Sequence, residues 1–166
     1  MTGKKSWNKR QARILVVDDD KTVAAALRDY LEEQGYEVAT ALSGEEAIAQ
    51  ASVFIPDLLV SDVCMGELNG VEAATAITEK LPNCRVLFLS GIASMYEVMS
   101  TAPQRLVYSF MSKPVHPLDL LNAIAYMVPN IGTMHDSGAS ALDRYTDLHS
   151  AIGMRPVESG FILSEA

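Results

Sequence analysis

Short apolar runs alternate with helical patterns five times along residues 14–129, and this alternation restricts the fold more than any other feature of the chain. Several runs, such as Ile14–Val17 and Leu58–Val60, are apolar at consecutive positions, which is typical of strands covered on both faces. The helical segments between them provide the crossovers that join neighbouring parallel strands. The sequence therefore predicts an α/β fold with a five-stranded parallel sheet and helices on both of its faces.

Residues that start or stop helices separate the predicted elements. Gly35 follows the first helix, and Pro82 ends the third. Ser43 lies three residues before Glu46, which is the spacing of a capping box, and Pro117 suits the first turn of the last helix. The predicted strands are Ile14–Val17, Glu37–Ala41, Leu58–Ser61, Arg85–Ser90 and Val107–Met111, and the predicted helices are Lys21–Gln34, one that begins after Ser43, Asn69–Lys80, Met95–Ala102 and one that begins at Pro117.

Charge and composition divide the chain into three parts. Residues 1–11 are a basic tail that we expect to be flexible, and residues 12–129 form the folded domain. Residues 130–166 are rich in Gly, Ser and Thr and show no strand pattern, so we expect a C-terminal extension that is disordered or forms one short helix over residues 139–152. The folded part is acidic and the net charge is −8, which argues against nucleic acid as a partner, because phosphate binding needs clustered Lys and Arg.

The cysteines and the hydropathy pattern indicate a cytoplasmic protein. Cys64 and Cys84 have no CxxC spacing and build no disulfide framework, so free thiols in a reducing compartment are expected. The basic N-terminal residues are not followed by the apolar run of a signal peptide. A run of about 18 or more apolar residues, as a membrane-spanning helix needs, is also absent from the sequence.

Polar side chains stand at the carboxyl ends of four of the five predicted strands. The carboxyl ends of parallel strands meet at one edge of a sheet, so we expect these side chains to converge in one pocket. They are Asp18, Asp19 and Asp20 after the first strand, Asp62 after the third, Ser90 at the end of the fourth and Lys113 after the fifth.

This combination of carboxylates, hydroxyl and ammonium suits phosphoryl transfer assisted by Mg²⁺. The ion is usually held by one or two carboxylates together with waters and phosphate oxygens, and it cancels the repulsion between neighbouring acids. One carboxylate is then free to act as a nucleophile toward phosphorus. Simpler roles stay open for single residues: Asp20 suits a helix N-cap, Asp62 and Ser90 each suit a loop, and Lys113 suits an exposed surface position.

The residues and their spacing resemble the receiver domain of two-component response regulators. The stretches that carry the resemblance are VVDDD at 16–20, LLVSDVCM at 58–65, NG at 69–70, LFLSG at 87–91 and SKP at 112–114, and the match extends over residues 12–128. The resemblance implies a flavodoxin-like sheet in the order 2-1-3-4-5. It also implies that Asp62 is the phosphoacceptor, which takes a phosphoryl group from a phosphohistidine on a sensor histidine kinase or a histidine phosphotransfer protein.

The resemblance also implies a metal site. Asp19, Asp62 and the backbone carbonyl of Cys64 are the implied Mg²⁺ ligands, and Asp18 is implied to act mainly through a bound water.

A switch is the third implication of the resemblance. Ser90 is the implied switch hydroxyl, and Lys113 is the implied cation for the phosphoryl group, aimed inward by a cis Lys113–Pro114 bond. Phe110 falls at the aromatic switch position, where the ring moves inward once Ser90 engages the phosphoryl group. The surface made by the fourth helix, the fifth strand and the fifth helix then changes shape.

The sequence departs from the pattern of the family in several places. Gly66 stands where proline is common, and Pro103 shortens the fourth helix. Cys64 and Ile92 occupy two positions that flank the phosphoryl site, where polar residues in relatives often help to place the attacking water. With these less polar side chains, we expect a long-lived phosphorylated form.

Few residues follow the predicted domain, and they are acidic, so we expect a stand-alone receiver that acts by protein–protein contact or within a phosphorelay, with a homodimer left open. Two other functions remain as alternatives. One is a receiver-like binding module that does not take phosphate. The other is a Mg²⁺-dependent phosphatase of the haloacid dehalogenase type, whose DxDx[TV] pattern fits DDDKT at 18–22 poorly.

Overall fold

Five parallel strands form the centre of the protein. The structure is a computed structural model that describes residues 10–128 and two short strands, Met154–Val157 and Gly160–Leu163. In the large sheet the strands lie in the order β2-β1-β3-β4-β5, and every neighbouring pair is parallel. The strands are β1 (Arg13–Val17), β2 (Glu37–Ala41), β3 (Leu58–Ser61), β4 (Arg85–Ser90) and β5 (Tyr108–Ser112), and the helices are α1 (Lys21–Glu33), α2 (Gly44–Phe54), α3 (Gly70–Lys80), α4 (Ile92–Thr101) and α5 (Pro117–Met127). The predicted fold and strand order are confirmed.

The core has two halves, one on each face of the sheet. In β1, Leu15 and Val17 point to the half that is covered by α2, α3 and α4, whereas Ile14 and Val16 point to the half covered by α1 and α5. All four side chains are buried, because successive residues of a strand face opposite sides and both sides are covered. This two-sided burial explains why the strand is apolar at consecutive positions.

Helix α4 and strand β5 differ most from the sequence prediction. Helix α4 begins at Ile92, three residues before the predicted Met95, and β5 runs over Tyr108–Ser112 instead of 107–111. The N-cap of α4 is Gly91, which provides no side-chain hydrogen bond, so the start of this helix carries no sequence signal of the usual kind.

The predicted capping box at Ser43 is only half formed. The Ser43 hydroxyl accepts a hydrogen bond from the Glu46 amide at 3.1 Å, but the Glu46 carboxylate accepts from the amide of Leu42, one residue too early. A complete capping box is found at α3 instead. There Asn69 accepts from the amides of Val71 and Glu72, and the Glu72 carboxylate accepts from the Asn69 amide.

The C-terminal part contains an element that the sequence pattern did not indicate. Strands β6 (Met154–Val157) and β7 (Gly160–Leu163) pair antiparallel in a separate two-stranded sheet, although we expected no strand after residue 129. The predicted short helix at 139–152 and the tail before residue 10 lie outside the described residues. In the part of the chain that the structure describes, no helix has the length and hydropathy needed to cross a membrane.

Candidate functional site

Backbone hydrogen bonds hold the residues that follow the strands at the carboxyl edge of the sheet. The Asp18 amide donates to Ala41 O at 3.2 Å, and the Asp62 amide donates to Val17 O at 2.9 Å. On the other side of β4, the Lys113 amide donates to Ser90 O at 2.9 Å. These bonds continue the ladders just beyond the strand ends, so the side chains that the sequence places at four strand ends start from neighbouring backbone positions.

The Lys113 ammonium lies between two of the carboxylates. Its Nζ is 2.8 Å from Asp18 Oδ2 and 2.8 Å from Asp62 Oδ2, and both acids are largely buried. The Lys113–Pro114 peptide bond is cis, as the resemblance implies. Three predicted site residues from the ends of β1, β3 and β5 are therefore in direct contact.

The pKa of Lys113 is raised above its ordinary value of 10.5 by the surrounding acids. Burial acts in the opposite direction and is the largest single cause, because it disfavours the charged ammonium. The hydrogen bonds and charges of Asp18 and Asp62 together outweigh it. The lysine therefore keeps its positive charge at physiological pH and balances part of the negative charge of the pocket.

The Asp62 carboxylate is the centre of a set of hydrogen-bond donors. Its Oδ2 accepts from Lys113, while its Oδ1 accepts from the Ser90 hydroxyl at 2.8 Å and from the Cys64 amide at 3.1 Å. Ser90 is buried, so its hydroxyl donates its hydrogen bond to this carboxylate instead of to water. A lysine, a hydroxyl and a backbone amide thus converge on one carboxylate. Asp62 accepts three hydrogen bonds, whereas Asp18 accepts two.

Three acids offer oxygen ligands that suit Mg²⁺. One carboxylate oxygen each of Asp18, Asp19 and Asp62 lies within 4.8 Å of the others. Hard oxygen donors at this spacing fit a small divalent cation, and the exposed side of Asp19 leaves room for the waters that Mg²⁺ retains. The resemblance implies a fourth ligand, the backbone carbonyl of Cys64, and this assignment stays a prediction.

Asp20 has a different role from its two neighbours. Its carboxylate caps α1 by accepting hydrogen bonds from the amides of Thr22 and Val23. Its own amide donates to Asp18 Oδ1 at 2.9 Å, which helps to orient that acid. The N-cap role that the sequence left open for Asp20 is therefore confirmed.

Phe110 lies inside the core. It is 5 % exposed, it stands opposite Phe88 in the register of β4 and β5, and it belongs to the core half under α4. The aromatic ring at the implied switch position thus points inward in the same structure in which Ser90 contacts Asp62.

Gly70 is a residue of the site that the sequence analysis quoted only as part of a motif. A Cβ atom at this position would stand 2.0 Å from the carbonyl oxygen of Asp62 and 2.9 Å from Ser61 Oγ. Only glycine allows the start of α3 to approach the phosphoacceptor candidate this closely. The dipeptide NG at 69–70 is the sequence signal that could have indicated the close approach.

The two cysteines lie in contrasting environments. Cys64 is exposed, and its Sγ is 3.0 Å from the hydroxyl of Ser94 on α4. Cys84 is buried, and burial, together with the negative charge of Asp57, raises the pKa of its thiol from 9.0 to about 12, against a smaller lowering by the Leu59 amide. Both thiols are free, as predicted from the sequence.

Together these features define a class of protein: a flavodoxin-like α/β domain with an acidic pocket at the carboxyl edge of its sheet. A family model described as the response regulator receiver domain matches residues 14–125, which is more than half of the chain. The chain therefore belongs to the response regulator receiver family. Receiver domains bind Mg²⁺ at an acidic pocket, and this chain has a cluster of three acids, Asp18, Asp19 and Asp62, at the carboxyl edge of its sheet.

Curated relatives support the same assignment. The chemotaxis protein CheY of Thermotoga maritima is 31% identical over 113 residues, which cover 68% of this chain and 93% of that protein. The response regulator protein VraR of Staphylococcus aureus is 35% identical over 114 residues, which cover 68% of this chain and 54% of VraR. The chain thus matches nearly the whole length of the first relative and about half the length of the second.

Solved structures agree with the fold. A response regulator receiver domain protein from Clostridium thermocellum superposes with a TM-score of 0.65 at 28% identity and covers 71% of this chain and 94% of its own. The chemotaxis protein CheY4 of Vibrio cholerae superposes with a TM-score of 0.62 at 27% identity, and the match covers 71% of this chain and 99% of the CheY4 chain.

Proposed function

We propose that the protein is a phosphorylatable receiver of a two-component phosphorelay, and that Asp62 is its phosphoacceptor. The observation that carries the proposal is the convergence of Lys113, Ser90 and the Cys64 amide on the Asp62 carboxylate. The phosphodonor is a phosphohistidine on a sensor histidine kinase or a histidine phosphotransfer protein. The protein acts as a signal transducer, and its own chemistry is limited to gaining and losing this phosphoryl group.

The transfer needs one bond to form and one to break. A carboxylate oxygen of Asp62 attacks phosphorus, and the P–N bond of the phosphohistidine breaks, so that its electron pair returns to the imidazole. The developing charge is spread over the three equatorial oxygens of the phosphoryl group. Donors that already surround the nucleophile can take these oxygens without a large rearrangement, which lowers the cost of the transfer.

Each donor has a defined part in this scheme. Lys113 binds one phosphoryl oxygen, while the Ser90 hydroxyl and the Cys64 amide bind the others. Asp18 keeps Lys113 in place through its own ion pair with the ammonium. Asp18, Asp19, Asp62 and the Cys64 carbonyl would hold Mg²⁺, which would supply the charge neutralisation that an anionic group needs to approach three carboxylates.

Phosphorylation is proposed to act on the switch through Ser90 and Phe110. In the structure, Phe110 points inward and the Ser90 hydroxyl contacts the Asp62 carboxylate at the same time. A phosphoryl group adds roughly 1.5 to 2 negative charges and three acceptor oxygens, so it strengthens the hold on Ser90 and shifts the population toward this arrangement. The surface formed by α4, β5 and α5 then presents a changed binding face to a downstream protein target.

The decisive experiment is phosphorylation by acetyl phosphate with and without Mg²⁺. We expect the wild type to gain one phosphoryl group, detected by mass spectrometry, and the Asp62→Asn variant to gain none. Asp29→Asn removes an exposed carboxylate of α1 and is the matched control, which we expect to be phosphorylated normally. Modification of the Asp62→Asn variant at the wild-type level would refute the assignment.

The same experiment tests the two alternatives. A receiver-like binding module that takes no phosphate would leave the wild type unmodified and its spectra unchanged by beryllofluoride with Mg²⁺. A phosphatase would release many equivalents of phosphate, and membership of the receiver family argues against that alternative. We further propose protein partners rather than nucleic acid, because the folded part of the chain is acidic, and a cytoplasmic location, which suits two free thiols.

A further inference from the structure

Two side-chain contacts connect α4 to the loop that carries the proposed phosphoacceptor. We call residues 62–69 the Asp62 loop. Near its start, Cys64 Sγ is 3.0 Å from Ser94 Oγ in the first turn of α4. At its end, Asn69 Nδ2 donates to Glu97 Oε1 at 3.3 Å, one turn further along the helix.

Cys64 touches the site and the helix at the same time. Its amide donates to Asp62 Oδ1, and its thiol contacts Ser94. Ser94 is buried, and its amide donates to the Gly91 carbonyl at 3.0 Å, which holds its backbone in the first turn of α4. Because a buried hydroxyl needs a partner, its contact with the thiol fixes the distance between the Asp62 loop and α4.

We propose that Ser94 is a positioning residue for Asp62, acting through Cys64; this rests on the proposed function of Asp62 as the phosphoacceptor. The Ser94 hydroxyl holds the Cys64 side chain, and the Cys64 backbone in turn presents its amide to the carboxylate. Ser94 thereby sets how well the amide of the Asp62 loop is aligned for a phosphoryl oxygen. This path runs beside the path from Ser90 to Phe110 and uses different residues.

The contact also links the binding face to the chemistry. If a partner protein moves α4, Ser94 moves with the helix and disturbs the position of the Cys64 amide. By linkage, the factor by which a partner on α4 changes the affinity of the site for a phosphoryl analogue equals the factor by which the analogue changes the affinity for that partner. A target that binds α4 would therefore change the occupancy of the phosphorylated form, and not only read it.

The first test measures beryllofluoride binding to the full chain in the presence of Mg²⁺. We expect Ser94→Ala to weaken this binding about fivefold, the equivalent of about one hydrogen bond. Ser94→Thr retains a hydroxyl and should restore most of the affinity. Ser100→Ala is the matched control, because it removes an exposed hydroxyl of the same helix that donates to the Glu97 carbonyl within that helix.

The second test needs no phosphoryl group and measures hydrogen exchange of the backbone amides. In Ser94→Ala we expect faster exchange at residues 64–69 of the Asp62 loop, with exchange in β1 and β2 unchanged. Cys64→Ala should have the same effect, and the double variant should exchange no faster than either single variant, because both substitutions remove one contact.

The outcomes separate the two proposals. Unchanged affinity and unchanged loop exchange in Ser94→Ala would overturn the role of Ser94. A wild type that binds no beryllofluoride would overturn the function of Asp62 as phosphoacceptor, and the exchange measurement would then decide alone whether Ser94 holds the Asp62 loop. Equal weakening by Ser94→Ala and Ser100→Ala would show a general effect on α4 and would also overturn the proposal.

Discussion

At the scale of single residues, the site depends on a lysine shared by two acids. Lys113 contacts Asp18 and Asp62 at the same distance of 2.8 Å, so its removal leaves two largely buried carboxylates without their cation. A buried charge that loses its partner is costly, whereas an intact pair adds little net stability. The consequence should be visible in stability as well as in phosphorylation.

We expect Lys113→Ala to lower the free energy of unfolding by about 1–2 kcal/mol in the absence of Mg²⁺. Added Mg²⁺ should recover part of this loss, since it neutralises the same acids. Because the pKa of Lys113 is raised above 10.5, its contribution should be constant up to that pH and disappear only at more alkaline pH. Urea unfolding with and without Mg²⁺ measures the loss of stability and its recovery, and a pH series of the same experiment measures the alkaline decline. An equal loss of stability at all Mg²⁺ concentrations would contradict the explanation.

Gly70 permits the closest backbone approach in the site. Replacing it with alanine places a Cβ atom 2.0 Å from the Asp62 carbonyl oxygen, and no flexible side chain can move to relieve the contact. We expect Gly70→Ala to destabilise the protein by about 2 kcal/mol or more and to impair phosphorylation by acetyl phosphate. Gly66→Ala is the control, since a Cβ there meets nothing within 4 Å, and its effect should stay within about 0.5 kcal/mol.

Cys84 makes stability depend on alkaline pH. The folded protein keeps its thiol protonated up to about pH 12, whereas the unfolded chain releases the proton near pH 9.0. The stabilisation is therefore complete below pH 9.0 and declines as the pH rises from there toward about 12. Between pH 9 and 10 the stability advantage of the wild type over Cys84→Ala should shrink by about 1 kcal/mol, and a constant difference in urea unfolding would contradict this.

At the scale of elements, the sequence predicts strands better than helix starts. Strands β2, β3 and β4 have the predicted bounds. In β3 and β4 this follows from buried apolar residues in a doubly covered sheet, which leave little freedom in register. Helix α4 was predicted to begin three residues late, because its cap is a glycine without a side-chain hydrogen bond. The start of α3 was displaced by one residue, since Asn69 is the N-cap and not the first helical residue.

The capping box of α3 is a local sequence signal that the predicted start of this helix at Asn69 does not take into account. Asn69 satisfies two amides of α3 and also contacts Glu97 on α4. We expect Asn69→Ala to lower the free energy of unfolding by about 1–2 kcal/mol. Asn69→Ser retains an acceptor for the amides and should recover most of the loss in thermal unfolding; if it does not, the cap is not the cause.

At the scale of the whole molecule, the fold and the grouping of the site follow from one rule. Side chains at the carboxyl ends of parallel strands meet at one edge, and the predicted residues from β1, β3, β4 and β5 do meet there. The rule does not say which donor binds which oxygen, because that depends on side-chain rotamers. It also does not reveal the contact of Cys64 with Ser94, since the two residues lie 30 positions apart and neither carries a motif for the other.

The acidic cluster should couple the stability of the whole domain to Mg²⁺. A ligand that binds only the folded state stabilises that state by about 1.4 kcal/mol when the free ligand concentration is about ten times the dissociation constant. We expect Mg²⁺ to raise the midpoint of thermal unfolding of the wild type. In Asp19→Asn, the midpoint should rise less with Mg²⁺, while the protein without Mg²⁺ should be as stable as the wild type or more so, because one repelling charge is removed. An equal response of both proteins to Mg²⁺ would show that Asp19 is not a ligand.

The contrast between the two thiols has a practical consequence. Cys84 is enclosed in the core, whereas Cys64 is open to solvent two residues from Asp62. A maleimide dye added to the native protein should therefore attach at one place, beside the pocket, without any engineered cysteine. The fluorescence of such a conjugate would follow the pocket in real time, although the bulk of the dye would separate Cys64 from Ser94.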